Sequence, residues 1–190
     1  MNSKNQYSSL AKTLYWVTAI VIIVSFGIGF FSARMRNFVP IEEVRTYLYL
    51  HKEIATTTLF LIVARFGYRL LVKYPKNPDH MHRIEMIGAK VAHMSLYILM
   101  VAVPVSGWFW SSVAGSDIPV LGLFNLPPLL AKDRSLYDFA HLLHQILAWA
   151  LGIVIVLHVA GALKHHFVDK NLILRRMLPG KIARKETDAA

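Results

Sequence analysis

Apolar residues in this chain are gathered into four long runs, at about 14–33, 47–71, 87–110 and 142–163, separated by shorter polar or proline-bearing segments. Each run approaches the roughly twenty residues that cross a hydrocarbon core of about 30 Å. Inside lipid no water is present to pair with backbone N–H and C=O groups, so runs of this length predict α-helices packed as a bundle. The expected fold is all-α, an integral membrane four-helix bundle over residues 1–190 with no sheet and no soluble domain. The first run is long for the apolar region of a signal peptide and is followed by no clear small-residue cleavage site, so it is kept as a mature helix.

The segments between the runs fit this picture. "LVKYPKNPDHMHR" joins helices two and three, with its prolines marking the break. The longest connection, "SSVAGSDIPVLGLFNLPPLLAKDRSLYDF", is apolar and carries Pro119, Pro127 and Pro128, so it is expected to lie on the membrane surface. The final "KIARKETDAA" is polar and reads as a frayed end. No internal repeat is present.

Composition agrees: 55% of the 190 residues are hydrophobic and only 17% are charged. The net charge of +10 is distributed unevenly. Fifteen of the 21 Lys and Arg fall at the end that carries both termini, against six (Arg34, Arg36, Arg45, Lys52, Lys132, Arg134) at the other. By the positive-inside rule both termini are expected in the cytoplasm, in a bacterial inner membrane. The charge is then explained by topology and anionic lipid, and it is no argument for nucleic acid, for which no module is visible. The absence of cysteine excludes disulfides, thiolate-held iron–sulfur clusters and covalently attached c-type haem.

The chemistry lies in the histidines. "HQILAWALGIVIVLH" begins with His144 and ends with His158. On a helix fourteen residues turn about 1,400°, close to four whole turns, and rise about 21 Å, so the two imidazoles share one face at two depths. His51 opens helix two at the depth of His144, and His93 on helix three matches the depth of His158. Ionisable side chains inside a membrane usually face the bundle interior with a partner. Each histidine taken alone reads equally well as a hydrogen bonder between helices, whereas depth-matched pairs on a shared face point to two cofactors. Zinc would need four closed ligands. A macrocycle needs only an imidazole on either side and an apolar slot.

Four segments together, "LHKEIA", "AHMSLYILMVAVPVSGW", "HQILAWALGIVIVLH" and "LKHHFVDKNLILRRMLP", resemble the bacterial cytochrome b561 family and the related di-haem cytochrome b subunits of hydrogenases and formate dehydrogenases. The resemblance covers all four helices. It implies two b-type haems across the membrane, the outer held between helices two and four, so that His51 and His144 correspond to its axial ligands. The inner haem of that family is held by a His-Trp histidine of helix one and the inner histidine of helix four. His158 keeps the second place, but the dipeptide here is Tyr15-Trp16. The inner site is therefore expected to take His93 as its sixth ligand, to take Tyr15 as a phenolate, or to be five-coordinate or empty. The phenolate ranks last, because a phenol with a pKa near 10 must be ionised within the membrane.

Other polar residues carry weaker expectations. Arg65, fourteen residues after His51, sits at inner depth on the same face and suits a haem propionate, while Arg69 reads equally well as an interfacial anchor. His141 reads as a competing ligand or a propionate contact. His165, His166, His80 and His82 read as solvated interfacial residues, with His165 or His166 lining a quinone pocket or taking up protons as the sharper alternative. Trp16, Trp108, Trp110 and Trp149 read as interfacial anchors. Pro104 and Gly107 are expected to bend helix three and allow close approach.

The function expected is transmembrane electron transfer by haem b between a periplasmic-side redox protein, as donor or acceptor, and a quinone or cytoplasmic-side site. As an enzyme it would be a quinone-linked oxidoreductase. Its alternatives are a membrane-anchor cytochrome b subunit of a periplasmic hydrogenase or dehydrogenase and, in another class, a haem-free scaffold or small transporter. Membrane lipid is a partner in every case.

Overall fold

A computed structural model describes residues 7–72 and 82–178. Four helices dominate: α1 (Ser9–Met35), α2 (Ile41–Leu71), α3 (Arg83–Ala114) and α4 (Tyr137–Phe167). They run 27, 31, 32 and 31 residues. At 1.5 Å per residue each exceeds 40 Å, so it spans the hydrocarbon core with turns to spare at both ends. All four are long and apolar enough to cross a membrane, which makes the chain an all-α, multi-pass membrane bundle. Helix ends extend beyond the apolar runs because polar turns such as "IEEVRT" and "RIEM" remain helical once outside the core. His80 and the segment "KIARKETDAA" lie outside the described residues.

The burial pattern is inverted relative to a water-soluble bundle. Val63 and Val156 are 71% and 67% exposed, whereas Thr18, Ser32, Ser112 and Ala140 are buried. Small residues let helix backbones approach, and the large aliphatic ones are left for lipid. The buried hydroxyls are satisfied locally: Thr18 donates to Leu14 O at 2.6 Å, Ser32 to Ile28 O at 2.7 Å and Ser112 to Trp108 O at 2.8 Å. At mid-depth one apolar residue from each helix, Ile22, Ile62, Met100 and Leu151, forms the central cluster. The closest packing is α1 on α2 and α3 on α4, so the bundle is two helical hairpins set side by side.

The expectation of no sheet is corrected in one place. Strands β1 (Pro119–Val120) and β2 (Phe124–Asn125) form an antiparallel hairpin in the long connection. Its turn places Leu121 and Gly122 at φ 49° and 66° and closes with Leu123 N–H donating to Val120 O at 2.9 Å. The bar on sheets applies to backbone exposed to lipid, and here β1 is buried against the middle of α2. Bulky Leu121 in the left-handed region gives no sequence signal for such a turn. The connection is fastened to α2 and α3: Thr56 donates to Pro119 O at 2.8 Å, Lys52 to Ser116 Oγ at 2.7 Å, and Trp108 to Pro127 O at 2.9 Å.

At the opposite end, where α1 begins and α4 finishes, a short helix α5 (Ile173–Met177) follows α4. The Trp16 indole donates to Met177 O at 2.9 Å and holds α5 against α1. Trp16 and Trp108 thus act as internal fasteners, a difference from their reading as anchors.

Candidate functional site

The hairpin end of the bundle encloses a cavity of about 770 Å³. Its lining includes His51, His144, Gly29, Gly107, His141 and Trp110, with Arg36, Arg45 and Lys52 contributing positive charge. The volume is within the range of small-molecule and cofactor sites, roughly 300–1,000 Å³.

Each hairpin prepares one of the two imidazoles. On the first, His51 of α2 lies against α1, where its Nδ1–H donates to Ser25 O at 2.8 Å. The ring fits there because residue 29 is glycine: a Cβ at that position would come within 2.9 Å of His51 Cε1 and 3.0 Å of Nδ1. On the second, His144 of α4 lies against α3, with Nδ1 at 2.9 Å from Ser106 Oγ. The Ser106 hydroxyl hydrogen is committed to Val103 O at 2.7 Å, so Oγ accepts from His144 Nδ1–H. Gly107 plays the part of Gly29, since a Cβ would come within 3.1 Å of His144 Cε1.

Both rings are therefore fixed in one tautomer by a hydrogen bond on Nδ1, which leaves Nε2 with its lone pair available for a metal. The ring centroids are 6.3 Å apart. Two metal–nitrogen bonds of about 2 Å, together with half of each ring, add up to about 6 Å for imidazoles on opposite sides of one ion. The donor set, its spacing and the two glycine seats fit a bis-imidazole haem.

His141 stacks on Trp110 with centroids 4.5 Å apart, and Trp110 lies 5.9 Å from the His144 ring. The Trp110 indole N–H is buried without an acceptor among the described residues.

At the depth of His158 the arrangement differs. The His93 and His158 centroids are 5.2 Å apart, and Tyr15 Oη lies 3.3 Å from His158 Nε2. The Arg65 guanidinium sits 4.9 Å from the Tyr15 ring centroid and 5.7 Å from that of Tyr97. Arg69 donates to the Tyr97 hydroxyl at 3.2 Å. Among the described residues no carboxylate forms an ion pair with Arg65. The structure thus brings His51 to His144, and His93, Arg65 and Tyr15 to His158.

Beyond the end of α4, Lys164 bridges Glu85 of α3 and Asp169, and His165 Nδ1 lies 2.6 Å from Asp169. The Lys164 ammonium holds the Asp169 carboxyl below the usual carboxylate range. His165 belongs to this ionic clip, which differs from the solvated residue that its position suggested.

Sequence reasoning missed Ser25, Gly29 and Ser106 as supports for the imidazoles. Ser25 and Gly29, four apart and so on one face of α1, were a legible signal of a close neighbour; nothing in sequence named that neighbour as His51.

The sequence profile of prokaryotic cytochrome b561 matches residues 6–180. The chain is similar to cytochrome b561 homolog 2 of Escherichia coli (strain K12), 30% identical over 177 residues that cover 93% of each chain. It is also similar to cytochrome b561 homolog 1 of the same organism, 25% identical over 92% of this chain and 98% of that one. A probable superoxide oxidase CybB of Yersinia pestis is 29% identical over 93% of this chain and 97% of its own. A match running nearly end to end, over helices that already bring His51 and His144 to one cavity, makes this chain a member of the prokaryotic cytochrome b561 family, whose work is transmembrane electron transfer by b-type haem.

Proposed function

We propose that a haem b held between His51 and His144 passes single electrons between a redox partner at the hairpin end and a quinone or protein partner reached from the end that carries the termini. The observation that carries this reading is the facing pair itself, 6.3 Å apart with Nδ1 of each ring already engaged. When bound there, haem supplies reversible one-electron chemistry. The protein's own residues orient two imidazoles, exclude water from the slot through Leu151, Met100 and Ile22, and present cationic groups at its rim. The charge distribution supports the hairpin end facing the periplasm and both termini the cytoplasm, in a bacterial inner membrane. Arg65, His93 and His158 form the polar cluster at the terminus-bearing end, close to where the electron enters or leaves.

A second reading concerns the donor. One relative is named a probable superoxide oxidase, and in this chain Arg36, Arg45 and Lys52 line the outer cavity. Positive charge around a cleft attracts a small anion. Superoxide giving up one electron there and leaving as dioxygen fits that charge.

The test is an absorption spectrum of the purified, folded protein with and without dithionite. Sharp split bands of bis-imidazole haem b are expected, lost in His51→Ala and in His144→Ala. A folded, colourless protein that takes up no added haemin would overturn the proposal. For the second reading, superoxide should reduce the haem at a rate that falls with added salt. A salt-independent rate would remove the role given to the cationic rim.

A further inference from the structure

The family resemblance implies an inner haem as well as an outer one, and the two levels of this bundle can be compared within one structure. At the outer level four features coincide. The imidazoles stand 6.3 Å apart, each ring rests against a glycine, each Nδ1–H has an acceptor, and each Nε2 is left unengaged.

At the inner level none of the four is present. His93 and His158 stand only 5.2 Å apart, about 1 Å too close for opposite sides of one iron. The nearby glycines Gly88 and Gly161 have no side chain within 4 Å of a Cβ, so no imidazole is seated on either. Among the described residues neither His93 nor His158 has a backbone or serine acceptor on Nδ1. The nitrogen of His158 that iron would need, Nε2, is instead within hydrogen-bond reach of the Tyr15 hydroxyl at 3.3 Å.

We infer that this chain is a one-haem cytochrome, in which a hydrogen-bonded Tyr15–His158 pair, with the His93 ring packed against His158 and the Arg65 guanidinium over Tyr15, occupies the level of the second haem. The inference rests on the haem reading of the outer pair. Its physical basis is that a metal-binding imidazole must be held in place through its other nitrogen, and removal of such support typically weakens binding tenfold to a hundredfold. The inner rings lack that support, lack the spacing, and have a phenol competing for the ligand nitrogen. Arg65, placed over the ring faces of Tyr15 and Tyr97, is held by cation–π contact, with no carboxylate partner among the described residues.

The experiment is haemin titration of the purified protein to saturation, followed by haem per polypeptide from the pyridine haemochrome and electron paramagnetic resonance of the oxidised form. One haem per chain and one low-spin signal are expected. Both should be unchanged in His93→Ala and His158→Ala, and Tyr15→His should move the ratio towards two. Two haems per wild-type chain, or loss of a low-spin signal in either histidine variant, would overturn the inference. If Tyr15→His misfolds, the two alanine variants still decide the question. A wild-type protein with no haem at all refutes the outer-site reading, which keeps the two failures apart.

Discussion

Gly29 offers a sharp test of the outer site because a control lies two residues away on the same helix. In Gly29→Ala the new methyl would fall 2.9 Å from His51 Cε1 and 3.0 Å from Nδ1. Ordinary contact begins at about 3.4 Å, so the ring or the helix must move by about half an ångström, and overpacking on this scale costs about 1–3 kcal/mol. The ring cannot retreat without stretching its 2.8 Å bond to Ser25 O or closing on the iron position. Helix propensity works in the opposite direction, since alanine is favoured over glycine by about 1 kcal/mol. Gly27→Ala receives that gain alone, because nothing lies within 4 Å of its Cβ. Haem affinity, measured by haemin titration, is expected to fall by about tenfold in Gly29→Ala and to hold in Gly27→Ala, each variant being compared at equal helix content by circular dichroism. Equal affinity and identical spectra in the two variants would refute the claim that Gly29 exists to seat the His51 ring.

Three further outcomes are expected. Ser106→Ala removes the acceptor on His144 Nδ1 and should weaken haem binding by about tenfold, with Ser106→Thr retaining more of it because the hydroxyl is kept; equilibrium haemin binding measures both. Asp169→Asn should lower the thermal midpoint at neutral pH. Because the folded carboxyl titrates below its ordinary value, the contribution of Asp169 is present above about pH 4 and is lost as pH falls through the depressed value, so the wild-type and variant midpoints should converge in acid. Reporter fusions should find both termini cytoplasmic and the β1–β2 hairpin periplasmic, and a hairpin-end reporter active only in the cytoplasm would reverse the assigned orientation.

The four helices were legible because the length of an apolar run is a direct measure of membrane thickness; the fourteen-residue interval put His144 and His158 on one face of helix four, and the depth pairing of His51 with His144 followed from both opening their helices at the same end. Long-range partnership was not legible. Ser25 and Ser106 matter through contacts 26 and 38 residues away, and a serine in a membrane helix reads first as a helix-packing residue. The β1–β2 hairpin escaped notice because its turn uses leucine at a positive φ in place of the Asn-Gly or Asp-Gly that signals such turns. The inner site was half legible: the loss of the helix-one histidine is visible as Tyr15, whereas the spacing of His93 from His158 depends on how α3 packs on α4.

That packing explains why the two levels differ. The outer imidazoles come from separate hairpins, His51 held by α1 within the first and His144 held by α3 within the second. Each ring is oriented before the hairpins meet, and a group bound between them ties one hairpin to the other. His93 and His158 both belong to the second hairpin, whose helices are already in close contact, so nothing holds their rings apart. The residue that α1 sends to that level is Tyr15, and its hydroxyl meets His158 Nε2 directly. A hydrogen bond between hairpins thus stands where the family's helix-one and helix-four ligands would be joined through iron. On this reasoning a haem held by His51 and His144 would be the main tie across the hairpin interface at that level, and its removal should loosen the hairpin end of the bundle more than the end carrying Tyr15.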